Sequence, residues 1–345
     1  MTRSNMKAAW LKDWTNVSYE DRPMPVIGHG EALVRVKYAG ICGSDLHVYN
    51  GHHATAIKPV VMGHEFAGEI AEVGEDGKGR FQPGDRVVVQ PYTSCDVCDT
   101  CVQGRDNVCR QLRILGIHID GCFAEYVKVP LKKVYKIPEN VSFRLASLTE
   151  PLAVAVHDVR RSRLAVGETA LIIGGGPIGL LIAMVARYAG ASRVVISEPN
   201  QYRIGIAEGL GFEVVNPIEP GAEEELMGKT NGEGYDVVFE SSGTMPGAAL
   251  MTKAAKIVGR VIVVGIPRTK PEVDTGAIFA KELDVMGVRI HSQLSFAAAV
   301  DVLGKGDLNA ELESLITHEF ALADIQKAID FSQEDGEHIK VVLKV

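Results

Sequence analysis

Residues 170–179 read ALIIGGGPIG, an apolar strand followed by a glycine-rich turn. The turn has the pattern G-x-G-x-x-G at Gly174, Gly176 and Gly179, and Pro177 and Ile178 open a helix predicted to about residue 189. Glycines at these positions let the backbone approach a pyrophosphate, which the helix N-terminus then binds. The pattern alone is weak evidence, but a strand before it and a helix after it predict a dinucleotide site.

An acidic residue supports the same interpretation. Glu198 follows Gly179 by 19 residues and ends the next predicted strand. A carboxylate there can accept hydrogen bonds from both adenosine ribose hydroxyls and repels a 2′-phosphate, so NAD is favoured over NADP. Arg203 argues the other way, because a nearby guanidinium can hold such a phosphate. The predicted cofactor-binding residues are Gly174, Gly176, Pro177, Ile178, Gly179, Glu198 and Arg203.

Strands and helices alternate regularly from residue 167, which predicts an α/β chain with a parallel sheet covered on both faces. Before residue 140 the sequence shows only short strands and no long amphipathic period. A chain of 345 residues also exceeds the usual size of one core, so two domains are expected. Strands are predicted at 32–37, 66–73, 86–89, 170–173, 194–196, 214–215, 236–239, 261–264, 285–288 and 341–345, and later helices around 296–303 and 325–331.

A second motif joins residues 40–47, GICGSDLH, to residues 63–65, GHE. Cys42 and His64 offer sulfur and nitrogen ligands typical of zinc, and Glu65 offers an oxygen. Three protein ligands leave one tetrahedral position open, as in a catalytic zinc site. Ser44 and His47 lie beside them and are suited to moving a proton. Each residue alone is commoner as a core or turn residue; their co-occurrence favours the metal site.

Four cysteines follow in the spacing C-x2-C-x2-C-x7-C. Four thiolates close a zinc tetrahedron and leave no position for substrate, and the spacing does not fit the usual ferredoxin runs. Glu150 is either a helix-stabilising acid in a first turn or a metal ligand, and Cys122 is interpreted as a packed thiol. The sequence therefore predicts two zinc ions per chain, the structural one held by Cys95, Cys98, Cys101 and Cys109.

Composition excludes several partners. Hydrophobic residues make up 46% and charged residues 23% of the chain, with a net charge of −8 and a pI of 5.7. These values argue against a nucleic-acid or anionic-membrane partner. The N-terminus lacks the apolar core of a signal peptide, and the longest apolar run, residues 178–185, is too short to cross a bilayer. Cysteines used as metal ligands favour a reducing compartment, so the cytoplasm is expected.

Together these motifs resemble the zinc-dependent medium-chain dehydrogenase/reductase family over essentially the full length of the chain. The resemblance implies a GroES-like β-barrel catalytic domain at residues 1–152 and 289–345, with a structural zinc lobe at about 91–112. It also implies a Rossmann NAD-binding domain at residues 153–288, with zinc, nicotinamide and substrate meeting between the two domains. Family members form oligomers, so a homodimer or homotetramer is expected, with 285–288 as an edge strand.

Within the family, the ligand motifs resemble the sorbitol and threonine dehydrogenase branch. Residues 115–121, LGIHIDG, and 49–52, YNGH, are closer to sugar-acid and polyol 5-dehydrogenases. The implied function is NAD-linked, zinc-dependent oxidation of a secondary alcohol to a ketone on a polyol or sugar acid. L-Threonine 3-dehydrogenase and a butanediol-type enzyme remain alternatives, as does a non-catalytic NAD-sensing protein. His52, His53 and His118 could line the cleft but are interpreted as surface or loop residues.

The resemblance also assigns roles. Zinc lowers the pKa of the substrate hydroxyl, so an alkoxide can pass a hydride to the nicotinamide. Ser44 would take the hydroxyl proton and pass it through the cofactor ribose to His47, and Asp45 would orient a ligand imidazole. The residues that would hold the catalytic zinc are Cys42, His64 and either Glu65 or Glu150.

Overall fold

The structure is a computed structural model that describes residues 4–77, 79–267, 269–334 and 336–345. The chain divides into two compact units. Unit 1 comprises Met1–Pro151 and Ser292–Val345, and unit 2 comprises Leu152–His291. No helix in the described part of the chain combines the length and apolarity needed to cross a bilayer.

Unit 1 is built mainly from β-strands. Its largest sheet has seven strands, in the order β10-β6-β5-β3-β18-β17, with β9 also paired to β3. A three-stranded sheet, β2-β1-β4, and a two-stranded sheet, β7-β8, complete it. These strands are β1 (Asn5–Asp13), β2 (Asn16–Pro23), β3 (Glu31–Gly40), β4 (Val60–Val61), β5 (Glu65–Val73), β6 (Arg86–Val89), β7 (Tyr92–Thr93), β8 (Arg113–Ile114), β9 (Tyr126–Pro130), β10 (Val134–Lys136), β17 (Ile316–Ala321) and β18 (Lys340–Lys344).

The helices of unit 1 are short. The first directly follows β3, where Cys42 is extended and its carbonyl accepts a hydrogen bond from the Asp45 amide at 3.0 Å. The sequence did not predict this helix, because seven residues that begin Gly-Ser-Asp have the composition of a turn. The helices are α1 (Gly43–Tyr49), α2 (Asp99–Val102), α3 (Phe143–Ala146), α10 (Gln293–Lys305), α11 (Asn309–Ser314) and α12 (Ile325–Gln333).

Unit 2 is a doubly wound parallel sheet. Its order is β13-β12-β11-β14-β15-β16, and every pairing is parallel. Counted within the unit, this is the 3-2-1-4-5-6 order of a dinucleotide-binding fold. The strands are β11 (Thr169–Ile173), β12 (Arg193–Ser197), β13 (Glu213–Val215), β14 (Tyr235–Glu240), β15 (Ala255–Val263) and β16 (Asp284–Gly287); the helices are α4 (Thr149–Ser162, which begins in unit 1), α5 (Pro177–Tyr188), α6 (Gln201–Gly209), α7 (Ala222–Gly228), α8 (Met245–Ala254) and α9 (Thr275–Lys281).

The central strand and helix of unit 2 explain why this fold forms. Residues 170–173 of β11 are all buried, as expected for a strand covered on both faces. Gly176 precedes α5 in an extended conformation, and Pro177 is its first residue, where a missing N–H costs nothing. The β15 strand begins six residues earlier than predicted, because Gly259 and Arg260 interrupt the apolar run in the sequence whereas the strand continues through them. The predicted fold class, α/β with a parallel sheet, is confirmed.

Candidate active site and zinc lobe

Three potential ligands converge within unit 1. Cys42 lies between β3 and α1, His64 directly precedes β5, and Glu65 is its first residue. Strands β3 and β5 pair antiparallel, which places Gly40 opposite Glu65. The ligand atoms of the three side chains lie within 4.8 Å of one another. His64 and Glu65 are buried and Cys42 is half-buried. A thiol, an imidazole and a carboxylate at this spacing form a donor set that suits zinc.

The environment of His64 selects one of its ring nitrogens. Its Nδ1 lies 3.2 Å from Asp45 Oδ1, at ion-pair distance, while Asp45 Oδ2 accepts a hydrogen bond from the Cys42 amide at 2.9 Å. Nε2 is therefore the nitrogen left for a metal, and it lies 3.4 Å from Ser44 Oγ. Burial alone lowers the pKa of His64, but Asp45 and Cys42 raise it well above its ordinary value. A metal that binds Nε2 must displace a proton.

Glu65 has a buried cationic partner that the sequence motifs did not indicate. Lys340, the first residue of β18, contacts the Glu65 carboxylate and donates a hydrogen bond to the Ile41 carbonyl at 2.9 Å. Burial raises the pKa of Glu65, Lys340 opposes that shift, and the nearby Glu150 adds to it. The only sequence signal for Lys340 is a lysine at the start of an apolar strand, IKVVL. Glu65 can therefore pair with Lys340 or bind a metal.

The remaining predicted site residues lie close to this group. Glu150 is in the first turn of α4, is buried, and is near enough to affect the pKa of Glu65, but it lies outside the 4.8 Å cluster. Ser44 and His47 are three residues apart on α1, so they share one face of that helix, and both are half-buried. Ser44 Oγ lies 3.4 Å from His64 Nε2, so this face of α1 borders the ligand cluster.

The four cysteines of residues 95–109 form a second cluster. The Sγ atoms of Cys98 and Cys101, and those of Cys109 and Cys95, are 3.5 Å apart. The Cys98–Cys109 and Cys95–Cys101 distances are 3.9 and 4.0 Å. Zn–S bonds of about 2.3 Å imply tetrahedral S–S edges of about 3.8 Å. A hydrogen bond from Thr100 lowers the pKa of Cys98 to about 5, which favours the thiolate that zinc requires. The cluster fits a structural zinc site.

A buried polar network attaches this lobe to the β-strands. Lys133 Nζ donates to Gln90 Oε1 and to Asp106 Oδ2, both at 2.8 Å. The Tyr92 hydroxyl donates to Asp106 Oδ1 at 3.2 Å and accepts from Gln90 Nε2 at 2.9 Å. Asp106 lies three residues before the ligand Cys109. The ammonium group of Lys133 is thus satisfied by groups from both the lobe and the strands.

The glycine-rich turn of unit 2 has the geometry expected of a phosphate cradle. Gly174 has φ +102°, and a Cβ at Gly179 would lie 1.8 Å from the Gly174 carbonyl oxygen, so both positions require glycine. A cavity of about 450 Å³ adjoins the turn. The Nε atom of Arg203, which lines this cavity, has no hydrogen-bond partner among the described residues. The cradle and this buried donor fit an anionic dinucleotide.

Glu198 is fixed at the edge of the same cavity. One carboxylate oxygen accepts from the Gly175 amide at 2.6 Å and the other accepts from the Asn200 amide at 2.9 Å. The side chain is buried, so its orientation is set before any ligand binds. Each oxygen retains lone pairs that can accept a ribose hydroxyl.

Comparison with known proteins agrees with both units. Residues 28–139 match the alcohol dehydrogenase GroES-like domain, and residues 177–305 match the zinc-binding dehydrogenase domain. The chain is 40% identical over 308 residues, 89% of either chain, to a 2-dehydro-3-deoxy-L-galactonate 5-dehydrogenase of Pseudoalteromonas atlantica. It is 34% identical to an L-threonine 3-dehydrogenase of Cronobacter sakazakii, over 96% of this chain and 97% of that one.

A solved structure is similarly close. A protein described as a zinc-binding dehydrogenase of Sinorhizobium meliloti 1021, bound to NADP, superposes with a TM-score of 0.91 at 33% identity, covering 99% of this chain and all of that one. The chain therefore belongs to the zinc-dependent medium-chain dehydrogenase family. This assignment confirms an oxidoreductase that uses zinc and NAD, and it excludes the non-catalytic alternative.

Proposed function

We propose that this enzyme oxidises a secondary hydroxyl of a sugar acid or polyol to a ketone, with zinc and NAD as cofactors. The observation that carries the proposal is the Cys42–His64–Glu65 cluster, with Ser44 Oγ 3.4 Å from the ligand imidazole. A sugar acid is supported because the 40% identical relative is named for oxidation of a sugar acid at carbon 5.

The residues of unit 1 supply the steps around the reacting hydroxyl. Bound zinc lowers the pKa of an alcohol by several units. Cys42 and His64 would hold the ion, with Glu65 as the third ligand and Glu150 as the alternative. Ser44 accepts the hydroxyl proton and His47 delivers it to solvent. Asp45 holds His64 with Nε2 available for the metal.

NAD binds at the glycine-rich turn of unit 2. NAD, when bound there, would supply the acceptor for the hydride that leaves the carbon carrying the hydroxyl. The carboxylate of Glu198 disfavours a 2′-phosphate, whereas Arg203 favours it, and we propose that Glu198 dominates because it is already fixed by two backbone amides. The residues proposed to bind NAD are Gly174, Gly176, Pro177, Ile178, Gly179, Glu198 and Arg203.

The wider organisation belongs to the same proposal. Residues 1–152 and 289–345 form the catalytic domain and residues 153–288 the NAD-binding domain. A homodimer or homotetramer is supported by the exposed edge strand β16. A cytoplasmic location is supported by the four-thiol cluster, which needs a reducing compartment.

A substrate screen tests the proposal directly. Purified, zinc-loaded protein is mixed with NAD and with sugar acids, hexitols, pentitols, L-threonine or 2,3-butanediol, and NADH is followed at 340 nm. The highest kcat/KM is expected for a sugar acid or polyol. L-Threonine is the second candidate, because the similarity to a threonine dehydrogenase covers 96% of the chain. Preference for threonine or butanediol would refute the proposed substrate class, and no NADH with any alcohol would refute the reaction.

Metal analysis tests the two sites separately. Wild-type protein should contain about two zinc ions per chain. Cys42→Ala should reduce this to about one and abolish NADH formation, because it removes a ligand of the open site only. Cys122→Ala, which removes a nearby buried thiol outside the cluster, is the control and should keep both ions. Retained turnover in Cys42→Ala would show that the ligand assignment is wrong.

A further inference from the structure

We propose that Thr55 and His118 form a specificity pair that binds a hydroxyl or carboxylate oxygen of the substrate beyond the reacting carbon. This inference rests on the proposed function, because it assigns a polyhydroxylated substrate to the same site. His118 belongs to the LGIHIDG segment and Thr55 follows the YNGH segment, so the pair joins two stretches of unit 1 that no zinc or cofactor role uses.

Hydrogen bonding fixes the tautomer of His118. Its Nδ1 accepts a hydrogen bond from the Ile114 amide at 3.0 Å, so in the neutral ring the proton is on Nε2. Nε2 lies 2.9 Å from Thr55 Oγ1 and therefore donates to it. The threonine hydroxyl keeps its own proton free to donate onward. The pair thus offers a neutral, oriented donor rather than a mobile positive charge.

Backbone hydrogen bonds hold the Thr55 side of the pair beside the proton-carrying helix α1. The amides of His52 and His53 donate to the His47 carbonyl at 2.8 and 3.2 Å, which ties the turn before Thr55 to the end of α1. The Ile57 amide then donates to the Ile117 carbonyl at 3.0 Å, which joins this turn to the His118 segment.

The His118 segment is held against the residues that lead into the ligand His64. The Cys122 amide donates to the Gly63 carbonyl at 3.0 Å, and the Gly121 amide donates to the Val61 carbonyl at 2.7 Å. A Cβ at Gly116 would lie 2.4 Å from the Gly63 amide nitrogen, so the backbones are in direct contact. The pair is therefore anchored on one side to the His47 carbonyl of α1 and on the other to Val61 and Gly63, which lead into His64.

Solvent access and charge indicate the ligand class. Thr55 is exposed and His118 is half-buried, so both can reach a bound molecule. Lys58, a cation on the Thr55 segment, pairs with Asp13. A neutral hydroxyl donor distinguishes substrates by hydrogen bonding. It stabilises a bound chain of hydroxyls and contributes nothing to the binding of a short apolar alcohol.

The test compares one polyhydroxylated substrate with one short alcohol. Thr55→Val and His118→Phe remove the donor while keeping approximate shape. Each should reduce kcat/KM for L-idonate about tenfold or more, the effect of one substrate hydrogen bond, and change kcat/KM for 2-butanol, which has no second hydroxyl, less than about twofold. Thr55→Ser keeps the hydroxyl and should behave like wild type. His29→Phe, a surface histidine, is the matched control.

Calorimetric binding of L-idonate to the zinc-loaded protein with NADH separates this inference from the proposed function. Weaker binding to Thr55→Val and His118→Phe, with Thr55→Ser unchanged, supports the pair whatever the turnover. Equal losses for both alcohols, unchanged binding in the variants, or no binding to wild type would overturn it. Absence of NADH formation with every alcohol would instead overturn the proposed function.

Discussion

At the scale of single residues, Lys340 shows how a distant part of the chain completes a site. It joins the Glu65 carboxylate to the Ile41 carbonyl, from which it is 299 residues away in sequence. Lys340 and Glu65 are both buried, so neither charge is solvated in the absence of the other. A buried ion pair contributes little net stability compared with apolar residues, but removal of one partner is costly.

Lys340→Met should therefore destabilise the metal-free protein more than a surface lysine substitution does. A loss of about 3 kcal/mol is expected, because the buried Glu65 carboxylate is left without its partner. The double variant Lys340→Met/Glu65→Gln should recover most of that loss, and Lys128→Met, which breaks an exposed pair with Glu31, is the control. Thermal unfolding after chelation measures each change. If the losses in unfolding free energy simply add in the double variant, Lys340 and Glu65 are not coupled.

Residues within short motifs could be predicted from the sequence, whereas residues paired across the chain could not. Cys42, His64 and the four lobe cysteines have few other uses at such spacing. Lys340 and Thr55 stand in ordinary sequence, and their roles depend on partners that only the folded chain brings near. The sequence also left open whether Glu65 or Glu150 is the third zinc ligand, because that depends on which strand and helix ends meet.

At the scale of elements, the end of β12 and the turn before α5 together define the proposed cofactor preference. Glu198→Ala should raise the KM for NAD about tenfold and the KM for NADP less, because the lost acceptors serve both adenosine ribose hydroxyls of NAD, whereas NADP keeps only the 3′-hydroxyl free. Arg203→Ala should instead raise the KM for NADP more than the KM for NAD. Initial rates with both cofactors measure the ratio. The assignment fails if Glu198→Ala leaves the NAD/NADP ratio of kcat/KM unchanged.

Helix α4 carries a carboxyl group whose pKa is shifted by burial alone. Asp158 is fully buried, and neither of its oxygens has a hydrogen-bond partner in the described part of the chain. Burial raises the pKa of Asp158 well above its ordinary value. A carboxyl group whose pKa is raised on folding destabilises the protein least at pH values below its unfolded pKa of about 3.9. Above that value, the free energy of unfolding falls by up to about 1.4 kcal/mol per pH unit.

Asp158→Leu should therefore stabilise the protein, and its advantage in Tm over wild type should widen between pH 4 and pH 7. Asp158→Asn also removes the titratable group but still buries an unpaired polar group, so its gain in stability should be smaller. Differential scanning calorimetry across this pH range measures both variants. An advantage that is constant with pH would show that Asp158 is not a source of the pH dependence.

Helices and strands with a strong hydrophobic period, or with a motif at one end, could be predicted from the sequence. The strand Arg86–Val89 and the start of α5 at Pro177 agree with the sequence prediction. Helix α1 was not predicted, because its seven residues contain less than two full apolar repeats and begin with turn formers. The β15 strand was shortened in the prediction because Gly259 and Arg260 break its apolar run, so residues 255–260 were left out.

At the scale of the whole molecule, the two edges of the unit 2 sheet differ. On β13, Glu213 pairs with Arg193 and Lys229, and such charges discourage pairing with another strand. On β16, Asp284 pairs with Arg163, but Val285 beside it is an apolar side chain that is 40% exposed. We expect Val285→Lys to shift the proposed oligomer toward monomer, and Val285→Thr to leave it intact. Light scattering coupled to size-exclusion chromatography measures the mass. A monomeric wild type would disprove the expected oligomer.

The position of β18 between β3 and β17 has a consequence for biosynthesis. On a ribosome, unit 2 is fully extruded while β18 of unit 1 is still to be translated. Unit 1 must therefore wait with Tyr38–Gly40 of β3 unpaired on one side, and the Glu65 carboxylate meets its ammonium partner only after the codon for Lys340 has been read. Nascent chains stalled just before Lys340 should resist proteolysis in unit 2 and remain cleavable in unit 1.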